Sequence, residues 1–191
     1  MIKLVISLCI LTSSLAIQAQ SPTLVEYAFP TVDGQITYQG VVETEANLLA
    51  ADLYLRAKEW VARSFKSAQD VIQVDDNKVI IVRSYFEKGH NTVVLRPKKW
   101  FTLKIEFKDG RFRYRLFDVV YEFEIAHEGI YLHEEQNLSS WLKYSSHKNE
   151  RKRDRINEGL ENYAREIDNE FLVILSSLEQ AVAEEIPDDD W

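Results

Sequence analysis

The feature that most constrains the fold is one long alternation. Residues Phe101 to Val119 read FTLKIEFKDGRFRYRLFDV. In the first arm Phe101, Leu103, Ile105 and Phe107 share one face, and Thr102, Lys104, Glu106 and Lys108 share the other, as the two-residue period of a strand demands. Asp109-Gly110 is a favoured pair for a tight turn. A two-residue loop sets the register: Lys108 opposite Arg111, Phe107 opposite Phe112, Glu106 opposite Arg113, Lys104 opposite Arg115. Phe112, Tyr114 and Leu116 then complete the apolar face. The alternation slips at Phe117-Asp118, as a β-bulge would make it, and a strand-like run continues from Val119 to Ile125. Such a hairpin belongs in an antiparallel sheet with one covered face and one wet face.

The remaining segments fit around that sheet. Leu24 to Phe29 reads as a strand, Val32-Asp33-Gly34-Gln35 as a turn, and Ile36 to Glu43 as the returning strand. Thr44 to Asn47 offers helix-capping side chains. From there Leu49, Leu53, Ala57, Trp60, Val61 and Phe65 recur at three- and four-residue steps, predicting an amphipathic helix that ends near Ala68. Asp70 to Val74 follows, with a turn at Asp75-Asp76-Asn77. The β-branched run Lys78 to Phe86 is apolar on both faces and reads as a central or doubly covered strand. Thr92 to Leu95 reads as a short strand stopped by Arg96-Pro97. Beyond Gly129 the pattern weakens through Ile130 to Lys148, with Trp141 and Leu142 expected against the body. A long helix is expected from near Asn149, on the stripe Ile156, Leu160, Tyr163, Ile167, Phe171, Ile174, Leu178 and Val182. The acidic end EEIPDDDW holds a helix-stopping Pro187. Strands bounded by helices predict an α+β fold: an antiparallel, curved sheet with helices on one face, plus the long C-terminal helix.

The N-terminus reads as a secretory signal peptide over residues 1–19, with Lys3 before the apolar run Leu4 to Ile17 and small Ala19 at the cut. Residues 20–148 then form the α+β domain, and 149–191 the last helix and acidic tail, expected to pack on the same domain. Cys9 is the only cysteine and lies inside the apolar run, so the mature chain is expected to lack thiol chemistry and disulfides. A formal net charge of −8 makes the chain a poor general binder of nucleic acid. No second apolar run approaches the length of a membrane span.

Three stretches together, FPTVDGQITYQGVVE, LYLRAKEWVARSFKSAQDVIQVDD and the hairpin itself, resemble a secreted bacterial family of domains of unknown function with a TBP-like fold. The resemblance covers about Val25 to Tyr121. Its most specific element is the helix Arg56-Ala57-Lys58-Glu59-Trp60 running into Phe65 and Asp70-Val71-Ile72-Gln73; the turn Lys108 to Tyr114 is the second. The resemblance implies a curved antiparallel sheet backed by helices, and no particular activity. Shape alone is no warrant for DNA binding.

One surface feature stands out. Arg111, Arg113 and Arg115 project from one face, with Lys104 and Lys108 opposite and Glu106 the one direct cross-strand partner. The first reading is a wet hairpin exterior, helped by Glu122 and Glu124 on a nearby strand. The second is a groove for an anion, with Lys104, Arg111, Arg113 and Arg115 as the binding residues. His90, His127, His133 and His147 show no metal-ligand spacing, and no metal or cofactor is expected. No Gly-x-Ser-x-Gly, His-Glu-x-x-His or phosphate-cradling glycine loop is present. The aromatic residues fall mostly on core faces. The basic opening of the last helix, Lys148 to Arg155, mixes signs as a solvated face does. The expectation is an exported, non-enzymatic binding or interaction module of the bacterial envelope. Its partner would be an anionic envelope component or a protein; the alternative is a hydrolase or lyase acting on an envelope polymer.

Overall fold

The computed structural model describes residues 27–44, 48–65, 67–87, 94–127, 130–140 and 153–183. The expected signal peptide with Cys9, His90 and His147, Trp141 and Leu142, residues 149–152 and the acidic tail lie outside them, as do the side chains of His127 and His133.

Strands β1 (Thr31–Val32) and β2 (Gln35–Ile36) form a small hairpin of their own. Asp33 and Gly34 turn it with φ of 51° and 77°, the left-handed pair that a tight hairpin needs. The expected strand over Leu24–Phe29 is not formed by its described part, Tyr27–Phe29. The expected strand Ile36–Glu43 is broken at Thr37, so that β3 (Tyr38–Glu43) enters the main sheet.

Helix α1 (Ala50–Ser64) stops before the expected end. A four-residue helix α2 (Ala68–Val71) leads into β4 (Ile72–Asp76), and β5 (Val79–Glu87) returns. Strands β6 (Val94–Lys108) and β7 (Arg111–His127) make the long hairpin in the expected register. Strand β6 is not stopped at Pro97: the register shifts between Leu95 and Lys98, which absorbs a residue that has no N–H to donate. At the other irregularity, a two-residue step along β6 (Trp100 to Thr102) matches a three-residue step along β7 (Val120 to Phe117). This is the expected bulge, with Asp118 left-handed at φ 56°. The weak-pattern region holds a strand the sequence did not announce, β8 (Ile130–Asn137). It pairs antiparallel with the far half of β7, while β3 pairs with the near half. Because β6 occupies one edge of β7, β3 and β8 lie end to end along the other. The six-stranded sheet thus runs β4-β5-β6-β7, then β3 and β8. Helix α3 (Arg153–Ala183) follows.

Both long helices cover one face. Ile80, Val82, Phe101, Leu103, Ile105 and Leu116 are fully buried there, against Leu53, Ala57 and Val61 of α1 and Phe171, Leu178 and Val182 of α3. Leu49, placed by periodicity on the buried stripe, precedes α1 and is 57% exposed. Of the expected capping stretch Thr44 to Asn47, residues 45–47 lie outside the described residues, and the N-cap position is Leu49. The Ala50 N–H donates to Asp109 Oδ1 at 2.9 Å, so the hairpin turn caps α1, and the Leu49 N–H donates to Asp52.

Polar clamps fix α3 on this face. The hydroxyls of Tyr27 and Tyr38 both donate to Asp168, and the Trp60 indole N–H donates to Ser177 Oγ at 3.0 Å. Burial, then Asp168, pushes the Tyr38 hydroxyl well above its usual pKa; burial, then Glu179, pushes Tyr114 up to about 12. Lys99 is also on this face, 1% exposed, with its ammonium 3.9 Å from Glu170 and over the Tyr163 ring.

Candidate functional site

The opposite face bears no helix among the described residues. Of the segment Ile130 to Lys148, whose position decides whether this face is covered, Ile130–Asn137 widens the sheet at its edge as β8, and residues 141–148 lie outside the described residues. Register places the side chains of the open face in rungs across the strands. At the turn end are Lys108 and Arg111 beside Glu43. Next come Val79, Glu106, Arg113 and Val41, then Ile81, Lys104, Arg115 and Gln39. Across the bulge lie Arg83, Thr102 and Phe117, then Tyr85, Trp100 and Val120, and last Glu87, Lys98, Glu122 and Glu135.

All four residues singled out from the sequence, Lys104, Arg111, Arg113 and Arg115, fall together at the turn half. They are not equivalent. Arg113 Nε and Nη2 donate to the two oxygens of Glu106 at 2.6 and 2.9 Å, a bidentate pair. Lys104 Nζ adds a contact to Glu106 at 3.1 Å. Arg113 first, then Lys104, holds the Glu106 carboxyl down at about 2. Arg111 approaches Glu43 at 3.6 Å. Arg115 lies over the Phe117 ring, 5.1 Å from its centroid, and neither it nor Lys108 has a carboxylate partner among the described residues. Lys104, Glu106, Arg113, Arg115, Gln39 and Phe117 line a hollow of roughly 680 Å³. Among the described residues, five cations therefore gather at this end, and three of them, Lys104, Arg111 and Arg113, contact its two carboxylates, Glu43 and Glu106.

Sequence reasoning missed the other half of the face. The Tyr85 and Trp100 rings meet at 4.7 Å, tilted by 50°. The Trp100 N–H donates to Glu122, whose other oxygen accepts from Lys98 at 2.9 Å; Glu122 raises the Lys98 pKa. Lys98 lies over both rings, and Arg83 lies over Trp100 while binding Asp118 and Thr102. The signal was available: extending the alternation back from Phe101 puts Trp100 and Lys98 outside and Lys99 inside. Reading Pro97 as a stop hid it.

Among the described residues no group of histidine, cysteine or carboxylate side chains could hold a metal, and no helix is long and apolar enough to cross a membrane.

No curated protein matches the chain. Solved structures similar in fold include a TBP-like protein from Parabacteroides distasonis and a DUF4468 family protein from Bacteroides ovatus. The first is 17% identical, with a TM-score of 0.53 over 81% of this chain and 98% of that one. The second is 13% identical, with a TM-score of 0.56 over 82% of this chain and 91% of that one. The resemblance read from the sequence therefore holds: the fold is TBP-like, and residues 38–122 match DUF4468, a domain of unknown function with that fold.

Proposed function

We propose that this protein is an exported binding module of the bacterial envelope, and that the open face of its sheet takes an anionic component. One observation carries the reading: the turn half of that face gathers five cations around two carboxylates, leaving Arg115 and Lys108 without a carboxylate among the described residues. Like charges on neighbouring strands weaken a sheet, so such a cluster gains from an external anion. The rival reading, a hydrolase or lyase on an envelope polymer, asks for an acid or base poised near working pH. Glu106, the one carboxylate lining the 680 Å³ hollow, is held at about 2 and suits a clamp for Arg113 better than proton transfer.

The test is retention of the purified protein on immobilised oligogalacturonate, polyglutamate and polyphosphate at low and high salt. At least one should retain it in a salt-sensitive way, and a variant with Arg111, Arg113 and Arg115 all changed to alanine should elute early. Absence of binding to any of the three sinks the reading. The export half is tested separately. Mass spectrometry of the chain made in a bacterial host should find a mature N-terminus near Gln20, and an intact Met1 in the cytoplasmic fraction overturns it.

A further inference from the structure

The open face is polarised along its strands, and that polarity narrows the ligand. At the turn end Lys104, Lys108, Arg111, Arg113 and Arg115 outnumber their acids. At the far end, among the described residues, Glu87 and Glu122 flank Lys98, with Glu135 beyond Glu122. Between them lie Tyr85, 41% exposed, and Trp100.

We propose that the open face binds an acidic polysaccharide, with a sugar carboxylate held by Arg115 and Lys104 and neighbouring sugar rings lying on Tyr85 and Trp100. This rests on the reading of the open face as the contact surface. Trp100 and Lys104 stand four residues apart on one strand and on one side of it, about 13 Å at the rise of a β-strand. A short oligosaccharide spans that distance.

Charge decides between polyanions. Polyphosphate and nucleic acid carry charge densely along their whole length. Laid along β6, either would set phosphates against Glu87, Glu122 and Glu135. A ligand that suits both ends is anionic in one part and uncharged in the next. An acidic polysaccharide with spaced carboxylates is such a polymer.

The middle rungs fit the uncharged part. A sugar ring offers a C–H face to an aromatic ring and hydroxyls at its rim that need both donors and acceptors. Around Trp100 these are already fixed: Glu122 takes the indole N–H and the Lys98 ammonium, while Arg83 is held by Thr102 and Asp118. Groups positioned in advance lose little freedom when a ligand arrives. At the other end Arg115 has no carboxylate among the described residues, and its guanidinium is steadied on Phe117. It can take a carboxylate in two parallel hydrogen bonds.

The experiment is calorimetric titration of the full mature chain with oligogalacturonate, its methyl ester, polyphosphate and polyglutamate. Oligogalacturonate should bind tightest of the four, and the methyl ester, stripped of charge, should bind weakly. Tyr85→Ala should cut oligogalacturonate affinity roughly three- to tenfold, the worth of an aromatic contact, and Tyr85→Phe should retain it. Arg115→Ala should weaken oligogalacturonate while narrowing its advantage over the ester. Equal or tighter binding of polyphosphate or polyglutamate overturns the sugar assignment and leaves the cationic contact surface standing. So does an oligogalacturonate affinity unmoved by Tyr85→Ala. Failure of all three polyanions to bind removes the contact surface itself, and this inference with it.

Discussion

The two faces of the sheet are built from the same strands, and different forces hold them. On the helix face Phe101, Leu103 and Ile105 of β6 are fully buried, and each meets an apolar partner from α1, α3 or the next strand. On the other face of the same strand Thr102, Lys104 and Glu106 meet charged or hydroxylated partners that remain partly wet. Burial of a large side chain stabilises by about 1.5–3 kcal/mol, whereas an exposed ion pair contributes about 0–1 kcal/mol. The fold is therefore set by the first face. The second can hold an arrangement that serves contact, because little stability depends on it.

Matched aromatic truncations test that difference most sharply. Trp60 is 4% exposed, packs edge-on against Phe65 at 5.8 Å, and donates to Ser177. Trp60→Ala should cost about 3–5 kcal/mol in a urea melt. Tyr85→Ala, on the open face, should cost less than about 1 kcal/mol. Equal losses would mean that the open face is a second core.

A smaller effect is expected where the helix face is closed by a glycine. A Cβ at Gly40 would lie 2.6 Å from the Tyr114 hydroxyl and 2.7 Å from the ring carbon that bears it. That ring packs against the core, so it has little room to withdraw. Gly40→Ala should destabilise by about 1–3 kcal/mol as overpacking does. Tyr114→Ala should remove the clash, so the double variant should be more stable than the two single losses added together. Simple additivity would show that the Tyr114 ring moves freely.

What was legible in the sequence follows the same division. The β6–β7 register, the bulge at Phe117-Asp118, the Trp60 helix and most of the α3 stripe were readable, because local periodicity and a turn pair specify them. Three features were not. Strand β8 reads IYLHEEQN, and glutamate, glutamine and asparagine disfavour strands; it forms along the free edge of β7, which is a tertiary cause. Lys99 breaks the apolar alternation, and only the fold shows its ammonium near Glu170 and Tyr163. The cap of α1 comes from Asp109, 59 residues along the chain. Within the candidate site, the alternation put the arginines on one face. It also set Glu106 opposite Arg113. It could not say that Lys104 shares that carboxylate while Arg115 has, among the described residues, only the Phe117 ring, because that depends on side-chain reach.

The smallest effect separates the faces by pH. In the fold Arg113 and Lys104 hold the Glu106 carboxyl at about 2, against 4.5 for the unperturbed group. A carboxyl depressed by folding contributes stability that is fully present above the unfolded value and is lost as pH falls through the folded one. Wild type should therefore exceed Glu106→Gln in urea midpoint at pH 6. The gap should narrow below about pH 4.5 and close near pH 2. It should be modest, because the Glu106 side chain is 26% exposed and that of Arg113 63%, so solvent and salt screen the pair. Added salt should shrink it further. Trp60→Ala has no such titrating group at its centre, and its deficit should persist from pH 6 to pH 4, with salt affecting it far less. A Glu106→Gln gap that ignores both pH and salt would mean that Glu106 acts by packing, and the two faces would then differ in degree rather than in kind.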